Sequence, residues 1–244
     1  LASQDGDAVA AVLYQRGQCP SVEKVEHLAQ ELAVDIVARG RSISGRAMVH
    51  KKDYVCEEYS LHDGRLLSYQ QVEGFFSNPN AEACKQTMDW LCLCADDLVV
   101  EYGPSSLLEL YCGNGNHTVA LAPKFDSVLA VELHPRLCKV AAANLAANYA
   151  PGSVNVEFSP AESSAFCRLM VGRAREFQVI LVDPPRCGLD GAAVDLCQRF
   201  ETILYISCSL DSLRRDLSFL LETHHVVRMA FFDHFPMTKY VECG

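Results

Sequence analysis

The sequence predicts an α/β protein, a doubly wound parallel sheet preceded by a small N-terminal α+β segment. Three observations carry this. After Gly74, continuous apolar runs alternate with amphipathic stretches, the pattern of parallel strands covered on both faces by helices. Several of these runs end in glycine, acidic or proline residues, as strands do where an open sheet meets a ligand. Before Gly74 the runs are shorter and are punctuated by turn residues.

In chain order, Val22, Val25, Leu28 and Leu32 recur at helical spacing and predict a surface helix between Pro20 and Ala33. Residues 34–38, 47–59 and 65–72 read as strands separated by Gly40, Ser44-Gly45 and Asp63-Gly64. A helix is expected to start near Asn80, a good cap, with Ala83, Thr87, Trp90, Leu91 and Cys94 on one face. Strands are then expected at 107–111, 128–132, 154–158, 177–183, 202–207 and 226–232. Helices are expected at 118–122, 135–149, 192–199 and 212–222, Pro135 suiting a first helical turn. Six strands alternating with helices make a Rossmann-like sheet. The expected division is residues 1–72 as the α+β segment and 73–244 as the sheet domain.

Half of the 244 residues are hydrophobic, enough for a full core. No uncharged apolar run of about 18 residues and no charged-then-apolar leader occurs, so a soluble, intracellular and cytoplasmic monomer is expected. The 12 cysteines are scattered through apolar stretches, without a CxxC pair or a cluster. They read as buried thiols, and no metal is expected. Acidic residues outnumber lysine and arginine 31 to 21, giving a net charge of −10, which counts against a non-specific nucleic-acid binder. A local basic face remains open: Arg39, Arg41, Arg46, Lys51 and Lys52 fall between Val34 and Tyr54, although such a run equally fits a solvated hairpin.

The first strand of the sheet domain breaks into Cys112-Gly113-Asn114-Gly115-Asn116, where two glycines let the backbone turn sharply and approach a ligand. The second strand ends in Glu132, placed to take the ribose hydroxyls of an adenosine cofactor. Any tight turn can use Gly-x-Gly. Here, however, Thr118 stands where a dinucleotide fingerprint has its third glycine, which favours a cofactor without phosphates.

Two further loops belong to the same sheet edge. Asp183-Pro184-Pro185-Arg186 follows the fourth strand, and its prolines form a rigid apolar wall suited to a planar base, although a plain proline turn has the same composition. Cys208 follows the fifth strand and precedes a helix, where the field of the helix N-terminus favours a thiolate nucleophile. Composition makes Cys208 one thiol among 12, and position selects it. Near the chain end Glu242 lies in an apolar stretch, the setting of a general base or simply of a surface carboxylate.

Taken together, residues 76–80 (FSNPN), 107–116 (LLELYCGNGN), 182–190 (VDPPRCGLD), 204–208 (LYISC) and 241–244 (VECG) closely resemble the RNA uracil-5-methyltransferase family, and within it the tRNA (uracil-5-)-methyltransferase branch. The likeness runs from about Gln71 to Gly244, in the family's order. It implies an S-adenosylmethionine-dependent enzyme that methylates carbon 5 of a tRNA uridine in the T-loop. By the same resemblance Cys208 is the nucleophile and Glu242 the proton acceptor. Asn78, Tyr111, Gly113, Asn116, Glu132 and Asp183 contact the cofactor or the site, Asp183 and Arg186 are candidates for the base edge, and the N-terminal segment is expected to dock RNA.

Three departures stand out. Asn78 replaces the family's usual Gln, and His117 stands where the branch commonly has Phe. The family's sheet continues in a strand past Glu-Cys-Gly, which implies a truncated chain. The iron–sulfur cysteine cluster of the ribosomal RNA branch and an obvious RNA-binding barrel are not found in the sequence, which favours tRNA. Asp-Pro-Pro loops also serve enzymes that methylate exocyclic amines, so that reaction, cytosine carbon 5 and a non-catalytic RNA-binding or tRNA-folding protein stay open.

Overall fold

In the computed structural model the residues described are 1–4, 6–13, 21–39, 47–49, 51–78, 80–103 and 105–244. They form two compact units, residues 1–59 with 68–77 and residues 60–67 with 78–244.

The first unit contains β1 (Val9–Leu13), α1 (Val22–Leu32), β2 (Asp35–Arg39) and β3 (Ala47–Val49), followed by most of the hairpin of β4 (Tyr54–Ser60) and β5 (Leu66–Val72), whose residues 60–67 belong to the second unit. β1 pairs parallel to β2, and β3 pairs antiparallel to β2. Buried Val25 and Ala29 of α1 pack on Ile36 and Ala38 of β2. β1 was not expected from the sequence. The strand expected over 47–59 is split, because Lys51 takes φ +57°, a left-handed conformation that interrupts pairing. In the basic stretch Arg41 and Arg46 lie outside the described residues, as do the turn residues Gly40, Ser44 and Gly45. Lys52 is tied to Asp7 by an ion pair of 2.6 Å.

The second unit opens with α2 (Ala81–Tyr102), capped as expected by Asn80, whose side chain accepts from the Ala83 amide. Then come β6 (Ser106–Leu110), α3 (Asn116–Leu121), β7 (Ser127–Glu132), α4 (Pro135–Asn148), β8 (Val156–Pro160), α5 (Ser163–Met170), β9 (Val179–Val182), α6 (Gly191–Cys197), β10 (Thr202–Tyr205) and α7 (Leu210–Leu220). Five strands form one parallel sheet in the order β10-β9-β6-β7-β8. The chain runs outward from β6 to β8 and then returns to β9 on the other flank. The sheet therefore reverses direction between β6 and β9, and the loops after β6, β9 and β10 share the edge where such sheets bind ligands. Leu108, Leu110, Ile180 and Val182 anchor the core against Leu196, Cys197, Phe200 and Leu220.

The sixth strand expected over 226–232 is a correction. Only β11 (Phe231–Phe232) forms there, and it pairs antiparallel with β12 (Glu242–Cys243) rather than joining the parallel sheet. A strand needs a neighbouring ladder. Residues 242–244 supply one for Ala230 to Phe232 only, and Val227 and Met229 are exposed. α5 was not expected either; its signal is a single cap, Glu162, whose carboxylate accepts from the Ser164 and Ala165 amides. Among the described residues every cysteine is a free thiol, and no helix is long and apolar enough to cross a membrane.

Candidate active site

The loop after β6 is a run of left-handed backbone: Tyr111 at φ +64°, Gly113 at +57° and Gly115 at +79°. Gly115 is needed for packing, since a Cβ there would sit 3.0 Å from Cβ of Ala141 on α4. At Gly113 a Cβ would meet nothing, so the loop backbone lies open to a ligand. The Gly113 amide donates to Oε2 of Glu132 at 3.1 Å, and the His134 amide donates to Oε1 at 2.8 Å. Two backbone donors thus fix the carboxylate and leave lone pairs for hydroxyl donors. Open backbone beside a fixed, half-buried carboxylate fits the ribose end of S-adenosylmethionine.

α3 is held from behind, where Tyr149 donates to the Val119 carbonyl at 2.9 Å and Arg65 to the Ala120 carbonyl at 2.8 Å. This fixes Asn116 at the start of α3. Asn116 and Asn78 converge on the buried thiol of Cys84, with Nδ2 to Sγ distances of 3.3 and 3.2 Å. Sequence reasoning did not find Cys84, which reads there as one more apolar helix residue. Tyr111 packs against the sheet core.

Asp183 follows β9. Its Oδ2 lies 3.3 Å from Nε2 of His117, a ring buried at the start of α3. Burial pushes the Asp183 carboxyl up, and the His117 contact is the strongest opposing influence. Behind His117, burial raises Glu109 to about 7, although Thr118 Oγ1 donates to its Oε2 at 2.6 Å. The rest of this loop is anchored to α7: Oδ2 of buried Asp216 accepts from the Leu189 amide at 2.8 Å and from the Tyr205 hydroxyl at 2.6 Å. Arg186 stacks on the Tyr240 ring at 4.3 Å from its centroid.

Cys208 and Glu242 come together through the backbone. Ser207 and Cys243 exchange both amide-to-carbonyl bonds, each 2.9 Å, which sets residue 208 opposite residue 242. Glu242 is buried, its Oε1 3.1 Å from Nε2 of His234, which also lies 3.3 Å from Thr87 Oγ1. Neither Thr87 nor His234 was singled out for this site in the sequence; a lone histidine in an apolar run reads as core. The Cys208 thiol is half-buried and is pushed up, first by burial and then by the negative charges of Asp183 and Glu242, while Arg186 pulls it down. The net direction is opposite to the lowering expected from the helix N-terminus. Among the described residues no group of acidic, histidine or cysteine side chains could hold a metal.

Glycine loop, acidic strand end and proline loop around one sheet edge define a Rossmann-like methyltransferase fold of the S-adenosylmethionine-dependent kind. A Pyrococcus abyssi tRNA (uracil-54, C5)-methyltransferase structure in complex with S-adenosyl-L-homocysteine superposes with a TM-score of 0.68 at 21% identity, covering 99% of this chain and 57% of that one. An Agrobacterium tumefaciens SAM-dependent methyltransferase follows at 0.60 and 13% identity, covering 86% of this chain and 75% of that one. The family model described as tRNA (uracil-5-)-methyltransferase matches residues 1–244. Proteins named tRNA/tmRNA (uracil-C(5))-methyltransferase from Aromatoleum aromaticum and Dechloromonas aromatica are 40% and 37% identical across the whole chain, which spans 67% and 68% of their lengths. The chain belongs to the tRNA (uracil-5-)-methyltransferase family.

Proposed function

We propose that the chain methylates carbon 5 of a uridine in the T-loop of tRNA, with Cys208 as covalent nucleophile and Glu242 as proton acceptor. The observation that carries this reading is the Ser207–Cys243 bridge, which sets a thiol opposite a buried carboxylate beside Asp183.

Carbon 5 of uracil is too weak a nucleophile to take a methyl group unaided. As a thiolate, Cys208 adds to carbon 6 and makes carbon 5 electron-rich. Its proton must leave first, and the Arg186 guanidinium is the nearby group that favours the charged form. When bound, S-adenosylmethionine supplies an electrophilic methyl group, and Gly113, Asn116, Asn78 and Glu132 would hold it. The reaction is a displacement, so these residues contribute alignment more than acid catalysis. Asp183 and Arg186 hold the edge of the base. Glu242 then takes the carbon 5 proton, the carbon 5–carbon 6 double bond re-forms, and Cys208 leaves as the thiolate.

The test is incubation with S-adenosylmethionine and tRNA carrying 5-fluorouridine. Fluorine cannot leave as a proton does, so a protein–RNA adduct should accumulate, with its mass located on Cys208. An adduct on another cysteine, or methylation that survives Cys208→Ala, overturns the reading.

A further inference from the structure

Among the buried titratable side chains that the mechanism leaves unused, His117 is the one in contact with Asp183. The His117 ring is 5% exposed, and its Nε2 lies 3.3 Å from Asp183 Oδ2. Its Nδ1 is buried without a hydrogen-bond partner. The charged groups that act on the ring are Asp183 from the end of β9, Glu109 from β6 and Glu242 from β12. All three are acidic side chains, Glu109 and Glu242 on strands and Asp183 just past the end of β9.

Burial alone would keep such an imidazole neutral, but three surrounding acids favour the cation. The groups acting on Asp183 are His117, His234 and Glu242, and His117 is the one in hydrogen-bond contact. We propose that His117 is a positioning residue: as an imidazolium it holds Asp183 ionised and fixed next to Cys208. The geometry supports a division of labour, since Glu109 already accepts from Thr118 while Asp183 Oδ2 faces the imidazole. Burial pushes Asp183 up and the His117 contact opposes it, so without the imidazolium Asp183 would take up a proton at higher pH.

The kinetic part of this inference rests on the proposed methyltransferase reading, and a spectroscopic arm does not. Proton NMR of the whole chain, with the His117 ring assigned by its disappearance in His117→Gln, should show titration above the free-imidazole value. In Asp183→Asn that value should fall. In tRNA methylation, the acid limb of kcat/KM should move to higher pH in both His117→Gln and His117→Phe. The expected loss is about tenfold at pH 6 with recovery above pH 8. Circular dichroism selects variants that fold, and the phenylalanine variant keeps the cavity filled if the glutamine variant does not. A His117 ring that titrates below free imidazole, or that ignores Asp183→Asn, overturns the pairing. An unmoved acid limb in a folded variant overturns the positioning role. An inactive wild type would refute the methyltransferase reading alone, and the NMR titration would still decide the pairing.

Discussion

Ser207 and Cys243 donate to each other's carbonyls at 2.9 Å, a closed two-bond pair formed by backbone alone. Side chains are not needed for it, so the bridge depends on the amide protons of residues 207 and 243, while the Ser207 hydroxyl separately braces the Ser209 backbone beyond Cys208. Substituting Ser207 by proline removes one donor. The methylation rate should fall at least about 100-fold, as a misplacement of about 1 Å can cost. Ser207→Ala keeps both bridge bonds and loses only the hydroxyl's bonds to Ser209, so its loss should be far smaller than that of proline. Single-turnover kinetics with folded protein distinguish the two, and a fully active proline variant would show that the bridge does not set the site.

Removing only the proposed proton acceptor should divide the reaction in two. With Glu242→Gln, addition of Cys208 and methyl transfer are intact, but carbon 5 keeps its proton and the thiolate cannot leave. A covalent complex with ordinary, unfluorinated tRNA should therefore build up on denaturing gels. In Cys208→Ala none should form. Rapid turnover by Glu242→Gln without a trapped complex would assign the proton to another group.

Stability should decline as pH rises from about 4.5 to about 7. Glu109 is buried, and its folded value of about 7 lies above the ordinary glutamate value of 4.5. The folded state therefore holds a proton that the unfolded chain has already lost between these values, so the native state loses stability across that window as pH rises. A shift of this size corresponds to about 3 kcal/mol. His117, also raised, acts in the same direction: its contribution is complete below the unfolded value and disappears as pH rises through the folded one. Urea titrations at pH 5 and pH 8 should show the drop, and Glu109→Gln should flatten it.

The parallel sheet was legible because its strands are buried on both faces: Val179, Ile180, Leu181 and Val182 form an unbroken apolar run. The glycine loop was legible because left-handed backbone at 113 and 115 demands that residue. Cys84, His117 and His234 were harder to read. Each is a single residue whose part depends on a neighbour far along the chain: Cys84 meets Asn116, His117 meets Asp183, and His234 meets Glu242. A helical or strand period reports which face is buried, and it carries no information about which polar groups meet there. The missing sixth strand failed for a related reason, since an apolar run becomes a strand only where a partner edge is available.

The two glycines of the loop should respond differently to alanine. At Gly113 the added methyl has open space, so the loss is the left-handed strain alone, about 1 kcal/mol. At Gly115 the same strain is joined by a contact of 3.0 Å with Ala141. Gly115→Ala should therefore lower the urea midpoint clearly more than Gly113→Ala, and Gly115→Ala combined with Ala141→Gly should recover part of the difference. Equal losses for the two single variants would mean that the Gly115–Ala141 approach carries no packing constraint.

Asp216 offers the sharpest test of how the proline loop is held. It is fully buried; Oδ2 binds the Leu189 amide and the Tyr205 hydroxyl, and Oδ1 binds Arg215 at 2.6 Å. Asp216→Ala leaves the Leu189 amide and the Tyr205 hydroxyl without their acceptor, while half-exposed Arg215 keeps the Cys187 and Leu189 carbonyls, and should destabilise the chain by about 3 kcal/mol. Tyr205→Phe removes one of those donors and should cost about 1 kcal/mol. Once Asp216 is gone, the tyrosine change should add almost nothing, because both act through the same oxygen. Held to α7 then by the Arg215 bonds to the Cys187 and Leu189 carbonyls, the loop carrying Asp183 and Arg186 loses part of its anchorage, while Gly113 and Glu132 belong to other strand ends and keep their positions. Asp216→Ala should thus lower kcat/KM for tRNA by far more than it weakens S-adenosylmethionine binding measured by calorimetry. If both fall equally, or if the double variant is additive, Asp216 serves the general stability of the domain rather than the placement of the loop.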